Sequence, residues 1–290
     1  MKFAVVVAVI MVTSAGCHRD VEVDRPDCDS AVCQLADRLA DVGGGVIIGG
    51  EAPIGDVSLL GGTASTFAPT GSLLFDDRER VIWTVREGNV VEAINIAEGT
   101  SSKVSIGPRV EFAGVLHSGG VLVRSSDEAG VEHSFQLRVV GENAVSTPAQ
   151  RAERYVASST DGSEFTVMRD GAGHDRLLAI SAGGPSREVP LPGACTMGLP
   201  MFPPDSKLIA VGAGCDDRDS GVYVVERDSL KWRLVAKDGG YFGWSPDSSA
   251  LLTLKSTSAG ATSMELIHLQ DNKVETFAFK LFAFSWIGPK

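Results

Sequence analysis

Met201-Phe202-Pro203-Pro204-Asp205-Ser206-Lys207-Leu208-Ile209-Ala210-Val211 has the same layout as Phe242-Gly243-Trp244-Ser245-Pro246-Asp247-Ser248-Ser249-Ala250-Leu251-Leu252 further along the chain. In each stretch a lead-in segment with an aromatic residue meets a polar turn built on Pro and Asp, and an apolar strand follows. A unit of about 40 residues cannot bury both faces of its own small sheet, so copies must stack on one another. The period therefore points to an all-β fold, a β-propeller of four-stranded blades.

Working outward, the strand after the turn recurs as Val81-Ile82-Trp83, Val121-Leu122-Val123, Phe165-Thr166-Val167, Ile209-Ala210-Val211 and Leu251-Leu252-Thr253. A Gly-containing turn follows each one, and glycine tolerates the positive φ that tight reversals need. Second strands are expected at Ala93 to Ile96, Gln136 to Val139, Leu177 to Ile180, Val222 to Val225 and Leu266 to Leu269. More polar third strands are expected at Lys103 to Ile106, Ala144 to Thr147, Arg187 to Leu191, Lys231 to Val235 and Lys273 to Phe277. The fourth strand of each unit runs through the next aromatic lead-in. Phe284-Ser285-Trp286 begins one more unit, while Val46-Ile47-Ile48 and Val57 to Leu60 supply a partial unit at the other end. Joining the two halves closes a ring and removes exposed sheet edges. Six blades follow from that count, with five or seven as the alternatives, because the Gly-rich stretch before Val81 has no clear register.

The amino terminus reads differently. Met1-Lys2 and the apolar run Phe3 to Val12 have the form of an export signal. As a helix the run would reach about 15 Å, half of a bilayer core of about 30 Å, so it is too short to span. Thr13-Ser14-Ala15-Gly16-Cys17 then resembles a bacterial lipobox cleaved before Cys17, with Ser14 in place of the usual Leu. The expected organisation is a lipoprotein signal peptide over 1–16, a tether and lead-in over 17–45 and the propeller over 46–290. Val32, Leu35, Leu39 and Val42 space as one face of a short helix within the lead-in. Acyl chains on Cys17 would hold the protein to a membrane. His18 stands where an Asp would retain a lipoprotein at the inner membrane, so an outer-membrane address is expected, facing the periplasm or the cell surface.

Removing Cys17 leaves Cys28, Cys33, Cys195 and Cys215, an even number in a chain leaving the reducing cytoplasm. Four cysteines allow three pairings, and proximity favours Cys28 with Cys33 and Cys195 with Cys215. The net charge of −11 would repel phosphate backbones, which argues against nucleic acid as a partner.

The turn signature of aromatic, Ser, Pro, Asp and a small residue before an apolar strand resembles the repeat of TolB-type periplasmic propellers. Phe242 to Leu252 and Met201 to Val211 carry it best, and Ser159-Thr160-Asp161-Gly162-Ser163-Glu164-Phe165 is a third copy without the proline. Ser206 and Ser248 replace the family's usual Gly, Pro203 replaces its Ser, and the units near Asp77 and Gly119 are degenerate. Pro204 and Pro246 preset φ for the turn, and Asp161, Asp205 and Asp247 can accept from its backbone amides, which are structural roles. The resemblance covers roughly residues 75–290. It implies an adaptor whose ring face or central channel receives a protein or peptide of the cell envelope.

Chemistry-bearing motifs are sparse. Gly-x-Ser-x-Gly and His-Glu-x-x-His do not occur, and no catalytic residue or cofactor is assigned. A hydrolase half of the kind that accompanies related propellers is not expected either, since four residues follow Trp286. Asp216, Asp217 and Asp219 are a weak calcium candidate that lacks the EF-hand register and reads better as an acidic hairpin beside Cys215. Cys28 and Cys33 lack a second pair for zinc, and His18, His117, His133, His174 and His268 are scattered. Trp83, Trp244 and Trp286, with Phe202, Phe242 and Phe284, are expected to pack between sheets, the alternative being a ligand-stacking surface. The function expected is non-catalytic binding by a lipid-anchored propeller. The alternatives are a metal-dependent hydrolase or lactonase on the propeller axis and a carbohydrate-binding surface propeller.

Overall fold

The computed structural model describes residues 10–12, 38, 41–42 and 45–50. It also describes 73–287 apart from 77–78, 87–88, 96–97, 99, 117–118, 130, 141–142, 149–152, 183, 216–219, 257–261 and 278–282. Described residues within Met1–Ala68 and Tyr241–Lys290 form one compact unit, and those within Pro69–Gly240 form another.

In chain order, β1 is Ile10–Val12 and β2 is Gly45–Gly50. The first full sheet is β3 (Leu73–Asp76), β4 (Val81–Arg86), β5 (Val90–Asn95) and β6 (Thr100–Ser105), all antiparallel. The second is β7 (Glu111–Val115), β8 (Val121–Ser126), β9 (Glu132–Val140) and β10 (Asn143–Pro148). The third is β11 (Tyr155–Ser158), β12 (Glu164–Arg169), β13 (Asp175–Ile180) and β14 (Ser186–Glu188). The fourth is β15 (Cys195–Met197), β16 (Leu208–Cys215), β17 (Gly221–Glu226) and β18 (Trp232–Lys237). These sixteen strands belong to the Pro69–Gly240 unit.

The other unit holds the sheet β19 (Gly239–Trp244), β20 (Ala250–Ser256), β21 (Thr262–His268) and β22 (Val274–Phe277), with the first two residues of β19 before its boundary. It also holds β23 (Ala283–Ile287), which pairs antiparallel with β2, Val46 opposite Ile287 and Gly50 opposite Ala283. β1 pairs with the far edge of β2, and it falls in the segment expected to be an export signal. This succession of four-stranded antiparallel sheets is the blade order of a β-propeller.

The strands arise where the apolar runs predict, with one shift of frame. The segment read as the fourth strand of each unit pairs instead with the second strand of the next sheet, as β7 does with β8 and β15 with β16. The expected third strand over Arg187 to Leu191 ends at Glu188. Pro190 has no N–H to give a ladder, and the backbone folds back so that Leu191 N–H donates to Val189 O at 2.8 Å. Of the short helix over Ala31 to Val42, only Arg38, Asp41 and Val42 are described, joined by a bond from Asp41 N–H to Arg38 O at 3.2 Å.

One turn geometry precedes the second strand of the four-stranded sheets. In three of them the N–H of Gly162, Ser206 and Ser248 donates to the carbonyl of Ser159, Pro203 and Ser245. The donor residues take φ of 81°, 55° and 65°, and the Asp before each accepts the N–H two places on, from Ser163, Lys207 and Ser249 at 3.0, 3.1 and 2.9 Å. The degenerate units keep the positive φ at Arg80 and Gly119.

Apolar residues alternate between sheet faces and fill the gaps between neighbours. Val81, Trp83 and Val85 of β4 pack with Phe112, Val121 and Val123 of the next sheet. Phe165, Val167 and Leu177 pack with Met197, Ile209, Val211 and Tyr223. Trp83, Phe242 and Trp244 are buried, and Phe202 meets Phe165 edge-on at 5.6 Å, which agrees with packing between sheets; only the backbone of Phe284 and Trp286 is described. Two contacts stitch adjacent sheets. β11 runs parallel to β7, and Gly114 lies so close that a Cβ there would stand 2.0 Å from Val156 O. Asp175 of β13 bridges to Cys195 of β15.

Candidate functional site

The short β14 leaves a notch beside β13, and the chain from Val189 to Met197 borders it as a cleft of about 360 Å³. Leu177, Val189, Leu191 and Met197 supply its apolar lining. Its charged members are all engaged. Arg176 forms a fork with Glu188, which holds that carboxyl below the usual range. Asp170 accepts from the N–H of Ala172 and His174 at 2.9 and 3.0 Å, and those backbone bonds lower its pKa too.

Asp175 is the hub. Its side chain is fully buried, and burial alone would raise its pKa. The Nε of Arg169 at 2.9 Å, the N–H of Met197 at 2.8 Å and the guanidinium of Arg154 at 2.8 Å outweigh that effect and hold the carboxyl below its ordinary value. Local folding delivers each partner. Arg154 precedes β11, its N–H fixed on Val167 O at 2.7 Å; Arg169 ends β12; Asp175 opens β13 directly opposite Arg169. Arg154 lies over the ring of Tyr155 at 5.1 Å, a cation–π contact. Burial raises the pKa of Tyr155, helped by Glu111 and opposed by Arg154 and Arg124. Arg124 of β8 stands opposite Glu111 of β7 and reaches Glu132 at 3.4 Å. Two guanidiniums thus share one buried carboxylate, with a third arginine close by.

The expected turn residues Asp161, Pro204, Asp205, Pro246 and Asp247 lie in the turns between first and second strands, apart from this cluster. Asp161 also binds Arg227 of the β17–β18 turn at 2.8 Å. The hydroxyl of Ser159, the N–H of Ser163 and the Arg227 charge push its pKa well down. Cys195 and Cys215 sit opposite each other in β15 and β16 and form a disulfide at the cleft's edge. Cys17, Cys28, Cys33, Asp216, Asp217, Asp219 and His117 lie outside the described residues. Among the described residues no three His, Cys, Asp or Glu side chains gather as a metal site, and no helix is long and apolar enough to cross a membrane.

Sequence reading missed Arg124, Arg154, Tyr155, Arg169 and Asp175. Their spacing fits no motif: Arg169 and Asp175 face each other across one hairpin, and strand pairing brings Arg154, Tyr155 and Arg124 to them. The one local signal is a charged residue at the end or start of an otherwise apolar strand, as at Arg169 and Asp175.

No protein-family model matches the chain, and no curated protein matches it. Solved structures do. TolB from Acinetobacter baumannii superposes with a TM-score of 0.66 at 12% identity, over 89% of this chain and 73% of that one. A protein assigned as TolB from Agrobacterium tumefaciens gives 0.55 at 14% identity, over 78% and 87%. The periplasmic gluconolactonase of Pseudomonas aeruginosa gives 0.53 at 13% identity, over 83% and 98%. At these identities the likeness concerns the fold, and the fold is the β-propeller.

Proposed function

We propose that this chain is a lipid-anchored, non-catalytic propeller that binds a protein or peptide at the bacterial cell envelope, as an outer-membrane lipoprotein tethered through Cys17. The observation that carries the binding reading is the cleft beside β14. Its apolar lining is framed by charged groups already held in place by internal partners. A general acid or base works best with a pKa near the operating pH. Asp170, Asp175 and Glu188 are all shifted the other way, toward permanent ionisation. Such a surface is ready to bind without rearranging, which reduces the ordering cost of association.

The likeness to TolB structures supports an adaptor role in the envelope, and the likeness to a periplasmic gluconolactonase supports an extracytoplasmic site. The same gluconolactonase likeness makes a lactonase the rival reading. Cross-linking on intact cells followed by mass spectrometry of the captured protein tests the proposal, run beside turnover assays on lactones and esters with added divalent cations. A specific, reproducible partner is the expected result. Metal-dependent lactone hydrolysis with no partner would overturn it.

A further inference from the structure

We propose that the cleft beside β14 holds a segment of the partner in which an apolar side chain stands next to a lysine or arginine, the cation meeting Asp170. The inference rests on the binding function proposed above and names the chemistry of the segment. Asp170, Asp175, Arg176 and Glu188 are the residues of fixed charge that line the cleft. The Arg176 fork takes both oxygens of Glu188, and both oxygens of Asp175 are taken by Arg154, Arg169 and the N–H of Met197. Asp170 is held differently. Its Oδ1 accepts from the N–H of Ala172 and His174, while its Oδ2 accepts no hydrogen bond and pairs with no cation among the described residues.

Behind the lining, Arg124, Arg154 and Arg169 are offset by Asp175, Glu111 and Glu132, so the Asp170 carboxylate is the charge left over. It is partly exposed in the β12–β13 turn, and its two backbone bonds fix its position before a ligand arrives. Leu177, Val189, Leu191, Ala194 and Met197 give the rest of the cleft an apolar wall. The stretch from Pro190 to Cys195 is pinned at both ends, by Nε1 of Trp232 donating to Pro190 O at 2.6 Å and by the disulfide to Cys215. A volume of about 360 Å³ suits a short piece of peptide rather than a domain. Lysine and arginine fit such a place because their methylene stems lie on apolar surface while the charged head reaches a carboxylate. In a protein of net charge −11, a basic partner is also drawn in from a distance.

The test is fluorescence anisotropy with a labelled hexapeptide of alternating lysine and leucine, with unlabelled spermine as a competitor. One control peptide replaces lysine by glutamine and another replaces leucine by serine, and both should bind at least about fivefold more weakly. Asp170→Asn keeps the oxygen that accepts from the turn and removes the charge. It should weaken the lysine–leucine peptide by about threefold to fivefold with unchanged melting temperature, and added salt should affect it less than the wild type. Glu98→Gln, in the β5–β6 turn two sheets away, removes the same charge and should leave binding unaltered. Leu191→Ser should weaken the lysine–leucine peptide more than the lysine–serine one, because only the former uses the apolar wall.

No binding of the lysine–leucine peptide, equal binding by Asp170→Asn, or as large a loss in Glu98→Gln as in Asp170→Asn would overturn the assignment. Spermine competing as tightly as the unlabelled peptide would overturn it too, in favour of a small polyamine. A protein partner captured equally well by the Asp170→Asn chain would leave the binding function standing and remove this inference. Binding of the peptide that depends on Asp170, with no protein partner recovered from cells, would do the reverse.

Discussion

At the scale of single residues, the recurring turn shows how a serine can hold a glycine's place. Ser206 takes a left-handed backbone conformation that costs a non-glycine residue about 1 kcal/mol or more, while Gly162 occupies the equivalent place without that strain. Substituting Ser206→Gly should raise stability by about 0.5–1 kcal/mol, less than the strain relieved because glycine also loosens the unfolded chain. The reciprocal Gly162→Ala should lower it by about 1 kcal/mol. Thermal denaturation of both variants reads the pair, and a loss of stability in Ser206→Gly would refute the account. The turn was legible wherever Pro and Asp marked it. At Arg80 and Gly119 it was not, because positive φ is a backbone property that Arg adopts without any change in hydropathy pattern.

Among elements, the meeting of β11, β12, β13 and β15 at Asp175 governs the response to acid. Its folded pKa is depressed, so its contribution to stability is fully present above the unfolded value of about 4 and is lost as pH falls through the lower folded value. Unfolding followed between about pH 7 and pH 2 should therefore show a steep acid limb. Asp175→Asn should flatten that limb and destabilise the protein at neutral pH by about 1–2 kcal/mol, since it removes the buried counter-charge of two arginines that water still partly screens. A variant with an unaltered acid limb would show that the ion-paired hub contributes nothing of the kind.

Strand positions followed directly from alternation and turn residues. Which strands share a sheet did not, because a periodic chain can be cut into units at any phase, and only the pairing of β7 with β8 rather than β6 fixes it. The cluster around Asp175 was illegible for a related reason: Arg169 faces it across one hairpin, but Arg154 precedes β11 and Arg124 lies on β8, and neither placement can be read from spacing.

For the whole molecule, the proposed membrane address depends on one thiol. If Cys17 carries the acyl chains proposed above, Cys17→Ser should move the protein from the membrane fraction to the soluble extract of the envelope, since several chains anchor far more firmly than none. Fractionation and immunoblotting check this, and a variant still wholly membrane-bound would dismiss the anchor. The fold class was legible at this scale because a period of about 40 residues admits few architectures.

The pairing of β2 with β23 carries a further consequence for how the protein is made. Synthesis is vectorial, so Gly45–Gly50 emerges more than two hundred residues before its partner Ala283–Ile287. Until then one flank of β2 has unclaimed backbone donors and acceptors, a template for pairing with other nascent chains. The clasp fastens only after translation has passed Ile287, so a ribosome stalled short of that point holds a chain that needs a chaperone.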